Sequence, residues 1–314
     1  YPFTYGYGDR PNTIHISRFE RLARAGKLVV VLDDAPVPAT PAGAFQNPSP
    51  KETAIARNIV NHIEMNAATT YGRALQVGIG QTGVQAIKLL RETKWWGRQY
   101  SEMLEPFTLD LFDAGRIQGS HWIEKNGVRT PLDGKVVCTF SMCEKGDPFY
   151  QRLHKNPAVV IAPASRVVIP EGFYGGLGIN NCLGIDFQGH INSGGRERNH
   201  HSGIGGGAMI IRGLGKGGFG YMCLKSTHRG FDGRRHSSIF PFLPRGTPIS
   251  HVGPDMMGGR DGARLFVVTE HGVFQTSGRS QSELIRGLIG IADPQFREML
   301  AKAAWEEFRV RVAV

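Results

Sequence analysis

Residues 74–83 constrain this chain more than any other stretch: Ala74-Leu75-Gln76-Val77 runs directly into Gly78-Ile79-Gly80-Gln81-Thr82-Gly83. Beyond the turn, Val84, Ile87 and Leu90 recur at helical spacing. A short apolar strand, a glycine turn and an amphipathic helix in this order open a parallel α/β sheet, whose ligands sit at the carboxyl ends of the strands. Backbone N–H groups at such a turn, feeding a helix N-terminus, favour a phosphate or a developing oxyanion. A turn that only packs helix on strand is the plainer reading.

The same residues match the Gly-x-Gly-x-x-Gly pattern of dinucleotide sites. That assignment needs a second buried strand ending in a carboxylate about 20 residues on. Glu102 stands near that distance, but Lys94-Trp95-Trp96-Gly97-Arg98-Gln99-Tyr100-Ser101 before it reads as polar and basic, not as a buried β run. On sequence grounds the dinucleotide reading is therefore disfavoured.

Elsewhere the pattern continues as α/β. Ser49, Pro50 and Glu52 predict a capped helix start, with Ile55, Ile59, Val60 and Ile63 as its buried stripe. Strands are predicted at Val136–Phe140, Val159–Ile161, Ile185–Phe187, Ala208–Ile211, Gly220–Leu224, Ser238–Phe242 and Leu265–Thr269. Two helices, Gln281–Ile291 and Pro294–Phe308, close the chain. Residues 1–48 read as an irregular lead-in with one strand, Leu28–Leu32, followed by a stiff connection through Pro36, Pro38, Pro41 and Pro48. The predicted fold class is α/β, with an open, mostly parallel sheet and flanking helices.

Composition narrows the class of partner. A net charge of +10 calls for an anionic partner, without choosing among nucleic acid, a membrane surface and a phosphorylated cofactor. No apolar run is long enough to cross a bilayer. The four cysteines form no Cys-x-x-Cys pair, which predicts reduced, buried thiols, a cytoplasmic setting and no zinc site. The basic stretches 196–201 and 228–236 lack the interleaved aromatics of a nucleic-acid module, leaving a phosphate site or a solvated loop. His200 and His201 are adjacent, so they lack the i, i+4 spacing of a metal pair. Ser101 sits in no Gly-x-Ser-x-Gly elbow, and Asp186 and Glu270 read as structural hydrogen-bonding groups.

Four ordered pieces carry a family resemblance. They are Leu75–Gly80 with Ser101-Glu102-Met103 and Leu109–Gly115; Ile179–Ser193; Ser202–Gly206 with Ile211-Arg212-Gly213; and Val267–Val273 with Leu288–Arg297. From about residue 50 onward the chain resembles the acetyl-CoA hydrolase and 4-hydroxybutyrate CoA-transferase family. The resemblance implies a CoA-transferase-like lobe whose nucleophile is Glu102. It implies a ping-pong route through a glutamyl-CoA thioester, with acyl-CoA hydrolysis or a silent CoA-binding subunit as alternatives. Coenzyme A or acyl-CoA is then the substrate, small carboxylic acids are the exchange partners, and no metal is required. Gly78, Ile79, Gly80, Gln81 and Thr82, together with Leu183, Gly205 and Gly206, are the positions the resemblance sets against the coenzyme. An ionised Glu102 calls for cations or N–H donors nearby.

The chain departs from the family pattern at Gly184, where relatives carry Glu or Gln, at Met209, and at Tyr100, where histidine is usual. Space left at Gly184 would suit a larger or more apolar acyl group. Family members also carry a preceding α/β lobe. Residues 1–48 then read as its tail and linker and 49–314 as the C-terminal lobe, with the missing lobe supplied by another chain or segment in an oligomer.

Overall fold

The computed structural model describes residues 4–7, 10–13, 16–29, 31, 47–118, 122–125, 128–131, 134–143, 147–154, 156, 158–161, 167, 175–196, 199–200, 205–215, 217–253, 256 and 262–314. Eight strands form its central sheet: β1 (Ala74–Val77), β2 (Arg98–Leu104), β3 (Val136–Ser141), β4 (Val159–Ile161), β5 (Leu177–Asn181), β6 (Phe219–Cys223), β7 (Arg264–Thr269) and β8 (Gly272–Gln275). Across the sheet the order is β8-β7-β6-β5-β1-β2-β3-β4, and only β8 runs antiparallel to its neighbour. The chain starts at β1, builds outward through β2, β3 and β4, then crosses back to β5 on the other side of β1. The order therefore reverses between β1 and β5, the crevice where open α/β sheets bind ligands.

Helices cover both faces. On one side α1 (Pro50–Met65), α2 (Gln81–Arg91) and α3 (Pro106–Asp113) pack Ile55, Ile59, Ala86, Ile87 and Leu109 onto Leu75, Val77, Val136 and Ile179. On the other, α4 (Gly207–Gly213), α5 (Gln281–Gly290) and α6 (Pro294–Phe308) pack Ile210, Ile211, Leu284, Leu288 and Leu300 onto Met222, Leu265 and Val267. These parallel strands are buried on both faces, as their near-continuous apolar runs require. No described helix is long and apolar enough to cross a membrane.

Local signals held where they were strong. α1 opens with the full capping box, Ser49 accepting from the Glu52 N–H while Glu52 accepts from the Ser49 N–H at 2.7 Å. Ser280 and Glu283 repeat the device at α5, and α6 spans the predicted residues. All four cysteines are buried and no disulfide joins them.

Several assignments change. Ala208–Ile211, read as a strand, lies in the helix α4. The reason is a dent in the sheet: Gly178 and Gly220 are cross-strand partners, and Cβ atoms there would meet Ile210 Cγ2 at 3.3 Å and Ile211 Cδ1 at 2.6 Å. Two missing side chains let the helix lie flat on β5 and β6. Arg98–Leu104, judged too polar for a buried strand, is β2, bonded to β1 and β3 on either side. Part of its polarity is met across the sheet, as Ser101 Oγ donates to the Val77 carbonyl at 3.1 Å, whereas the buried Gln99 amide has no hydrogen-bond partner among the described residues. The segment predicted at Ile185–Phe187 shifts by one residue to Gly184–Asp186, and that at Ser238–Phe242 shortens to Ile239–Phe240. With Ile191–Asn192 they form a separate three-stranded sheet. The N-terminal stretch contains a strand pair, Thr4–Tyr7 with Arg10–Thr13, and a helix, Ile16–Arg24. Leu28, Val29 and Val31 lie outside any strand; Val30, Leu32 and the proline connection 36–41 are outside the described residues.

Candidate active site

The β1–α2 turn stands at the reversal point. Gly80, at φ +130°, is the N-cap of α2, a conformation that side chains resist. Gly83 packs helix on strand, since a Cβ there would fall 2.5 Å from Val77 Cγ1. Asn181, ending β5, donates from Nδ2 to the Ile79 carbonyl at 2.7 Å. A Cβ on Gly80 would lie 2.7 Å from that same Nδ2.

Glu102 lies near the carboxyl end of β2, half-buried. The register Leu75↔Gln99, with Ser101 Oγ on the Val77 backbone, sets Glu102 level with Gly78 at the rim of the sheet. Its side chain leaves the same face as Tyr100, toward the layer of α4. Among the described residues, none hydrogen-bonds or pairs with Glu102. Because β2 is a buried strand ending near a carboxylate, the sequence objection to a dinucleotide does not stand. The Asn181 amide braces the turn from β5, bonding the Ile79 carbonyl beside Gly80.

The second glycine segment meets the first through Asn180. Gly206 precedes α4, and a Cβ on Gly207 would lie 3.5 Å from Asn180 Oδ1. A Cβ on Gly78 would lie 2.8 Å from the same oxygen. Gly205, at φ +67°, has nothing within 4 Å of a built Cβ. Ser202, Gly203 and Ile204 lie outside the described residues, as does His201. Thr82 is buried in the first turn of α2, while Ile79 is exposed at the tip of the loop. The turn Gly78–Thr82, Glu102 and Gly206 are thus gathered around β1 and β5. Neither Asn180 nor Asn181 was singled out from sequence.

Leu183 stands apart from that group. With Asn192, His228, His236, Phe240, Pro244 and Thr247 it lines a shallow cavity of about 150 Å³ that includes none of the other candidate residues. The proposed room at Gly184 does not exist: a Cβ there would fall 2.9 Å from Phe240 Cε2, so the aromatic ring already fills it.

Other carboxylates of the chain have their own partners. Asp186 accepts from the N–H groups of Gln188, His190 and Leu243, and so shapes a turn. Burial raises the Glu270 pKa, but hydrogen bonds from Lys51 and Ser226 outweigh it and hold the group below its ordinary value. Glu270, His271 and Asp293 lie close enough to hold a metal. The Lys51 ammonium, 2.5 Å from Glu270 and 3.8 Å from Asp293, already supplies the positive charge there. Glu105, at the head of α3, is displaced toward neutrality: burial pushes it up to about 7, opposed by the Thr108 hydroxyl.

Known proteins resemble this chain in a consistent way. A butyryl-CoA:acetate CoA-transferase from Anaerostipes caccae is 29% identical over 263 residues, 81% of this chain and 53% of its own. A 4-hydroxybutyrate coenzyme A transferase from Clostridium kluyveri is 32% identical over 255 residues, 79% of this chain and 53% of its own. The chain thus spans about half the length of the curated relatives it matches. RipA from Yersinia pestis superposes with a TM-score of 0.68 at 26% identity, over 87% of this chain and 56% of that one. A 4-hydroxybutyrate CoA-transferase from Porphyromonas gingivalis shares the fold, at TM-score 0.66 and 24% identity, covering 98% of this chain and 64% of that one. The model of the acetyl-CoA hydrolase/transferase C-terminal domain matches residues 146–304, about half of the chain, beginning after Glu102 and the Gly78 turn. By that match the chain belongs to the acetyl-CoA hydrolase/transferase C-terminal domain family.

Proposed function

We propose that this chain is the C-terminal lobe of a CoA-transferase that moves CoA between an acyl-CoA and a free carboxylic acid, with Glu102 as the covalent nucleophile. The observation that carries the reading is the position of Glu102, at the carboxyl end of β2 and level with Gly78, beside the crevice where the sheet order reverses. Relatives named as CoA-transferases supply the reaction class.

In this scheme a Glu102 oxygen attacks the thioester carbonyl, and the carbonyl electrons move to an oxyanion near backbone N–H donors of the Gly78–Thr82 turn. The C–S bond breaks, the CoA thiolate leaves and a mixed anhydride remains. The thiolate then attacks the glutamyl carbonyl, expelling the donor acid as its carboxylate and leaving a glutamyl-CoA thioester. An acceptor carboxylate reverses the sequence. Each step exchanges one acyl bond for another, so neither ATP nor an oxidant enters.

Gly78, Ile79, Gly80, Gln81, Thr82, Gly205 and Gly206 line the coenzyme in this reading, and Leu183 meets it from the neighbouring cavity. The exposed Arg229, Arg234 and Arg235 of the hairpin Thr227–Arg229 with Arg235–Ser237 suit its phosphates. In this reading a lobe of similar fold stands before it, residues 1–48 being the tail of that lobe, and the enzyme works as an oligomer in the cytoplasm. That inference is supported by relatives about twice as long.

The test is chemical. The chain is incubated with acetyl-CoA or butyryl-CoA, quenched with hydroxylamine or borohydride and mapped by mass spectrometry. Modification at Glu102, absent in Glu102→Gln, supports the assignment; modification elsewhere, or none with CoA still bound, refutes it.

A further inference from the structure

Beneath the two glycine segments lies a buried pair of primary amides. Gln76 Nε2 donates to Asn180 Oδ1 at 3.2 Å, and Asn180 Nδ2 donates back to Gln76 Oε1 at 3.0 Å. The residues are 2% and 6% exposed. They join β1 to β5 across the reversal point, the two strands whose ends form the crevice.

Three glycines surround this pair. Built Cβ atoms on Gly78, Gly178 and Gly207 would lie 2.8 Å from Asn180 Oδ1, 3.4 Å from Gln76 Oε1 and 3.5 Å from Asn180 Oδ1, respectively. The Asn180 amide therefore lies between the Gly78 turn and the Gly207 segment, within reach of the place a side chain would take on each. A hydrocarbon pair of the same shape would join two strands equally well, because trading both partners of a buried hydrogen bond for apolar groups is close to neutral. Two amides add direction. The reciprocal bonds fix both side-chain planes, and a fixed plane sets how far apart the flanking backbones stand.

We propose that Gln76 and Asn180 are positioning residues for the reaction at Glu102, their amide pair holding the Gly78–Gly80 turn and the Gly205–Gly207 segment at the separation the reacting acyl group requires. This deepens the reading of Glu102 as nucleophile and rests on it. Neither side chain is a reacting group; they act through the glycine segments that flank them.

The experiment measures the rate at which Glu102 is modified by butyryl-CoA in the natural full chain, in Gln76→Leu, Asn180→Leu and Asn180→Asp, and in the double leucine variant. CoA affinity and thermal stability are measured in parallel. Displacing a reacting geometry by about 1 Å costs on the order of a hundredfold in rate, so each single variant should label Glu102 at least about tenfold more slowly. CoA affinity should change by less than about threefold, and the double leucine variant should be no slower than either single one. Asn180→Asp keeps the side-chain shape while removing the donor, and it carries the test if the leucine variants fail to fold. Folded variants that label at the natural rate, or that lose rate only in proportion to CoA affinity, overturn the proposal alone. Absence of label on Glu102 in the natural chain overturns the nucleophile assignment and this inference together.

Discussion

Asn181 donates to the Ile79 carbonyl across 2.7 Å, tying the end of β5 to the exposed tip of the glycine turn. This side chain restrains the tip of a loop whose base is tied by the Gly78 N–H to the Ile179 carbonyl, and whose tip residue, Ile79, is exposed. Asn181→Ala should cost only about 1 kcal/mol of global stability, as an accessible hydrogen bond does. Amide hydrogen exchange at residues 79–82 should nevertheless accelerate. Gly80→Ala should cost more, about 1–3 kcal/mol, because it adds a strained φ and a clash with Asn181. Exchange mass spectrometry with urea denaturation separates the two; unchanged exchange in Asn181→Ala would mean the bond does not restrain the turn.

Phe240 occupies the space a side chain at position 184 would take. Gly184→Glu should therefore destabilise the three-stranded sheet by about 1–3 kcal/mol, the usual cost of overpacking. Adding Phe240→Ala should recover part of that loss, although Phe240→Ala alone destabilises. Urea denaturation of the single and double variants gives the coupling energy. Additive losses would show that residue 184 and Phe240 do not compete for one volume.

Legibility followed locality. The capping boxes at Ser49 and Ser280 are written within four residues, and both helices start where they say. The strand β5, Leu177-Gly178-Ile179-Asn180-Asn181, is central to the sheet yet holds two asparagines and a glycine, residues that strands disfavour. Only its neighbours β1 and β6 make it a strand, and such pairing is not visible along the chain. The same blindness hid β2, whose Ser101 bonds to the Val77 backbone across the sheet, and it hid the reversal point that gives Glu102 its setting. Glu102 itself came from family resemblance; its address beside Gly78 came from the fold. The filled space at Gly184 required a contact between residues more than fifty positions apart.

Lys51, in the first turn of α1, bridges to Glu270 beyond the end of β7 at 2.5 Å. Glu270 also accepts from the Ser226 N–H at 3.0 Å and the Ser226 hydroxyl at 2.7 Å. Its folded pKa lies below the ordinary value near 4.5, because these bonds outweigh burial. The sign follows: the stabilisation is present above about pH 4.5 and is lost as pH falls through the lower, folded value. Lys51→Met should cost about 1–2 kcal/mol at pH 7, less than a fully buried pair because the lysine is partly exposed. The gap between variant and natural chain should narrow below pH 4. Urea denaturation across pH 3–7 checks this, and a pH-independent gap would assign the loss to packing of the lysine stem.

Glu105 behaves in the opposite sense. Its carboxyl is fully buried at the head of α3, with Oε1 accepting from the Thr108 hydroxyl at 2.9 Å and Oε2 lacking a hydrogen-bond partner. Burial pushes its pKa from 4.5 up to about 7, and its negative charge contributes, after burial, to pushing the Cys138 thiol up to about 12. A carboxyl that resists ionisation in the fold opposes folding once the unfolded chain can ionise. Stability should therefore be unaffected by this group below about pH 4.5, decline between 4.5 and 7, and level off above 7. At about 1.4 kcal/mol per pH unit, the full penalty is on the order of 3 kcal/mol. Glu105→Gln keeps the shape and the Thr108 bond while removing the titration. The variant should match the natural chain at pH 4 and exceed it by up to about 3 kcal/mol at pH 8, read from urea denaturation at each pH. A variant equally stable at both ends, or less stable at pH 8, would show that Glu105 ionises without penalty and that its charge is compensated inside the fold.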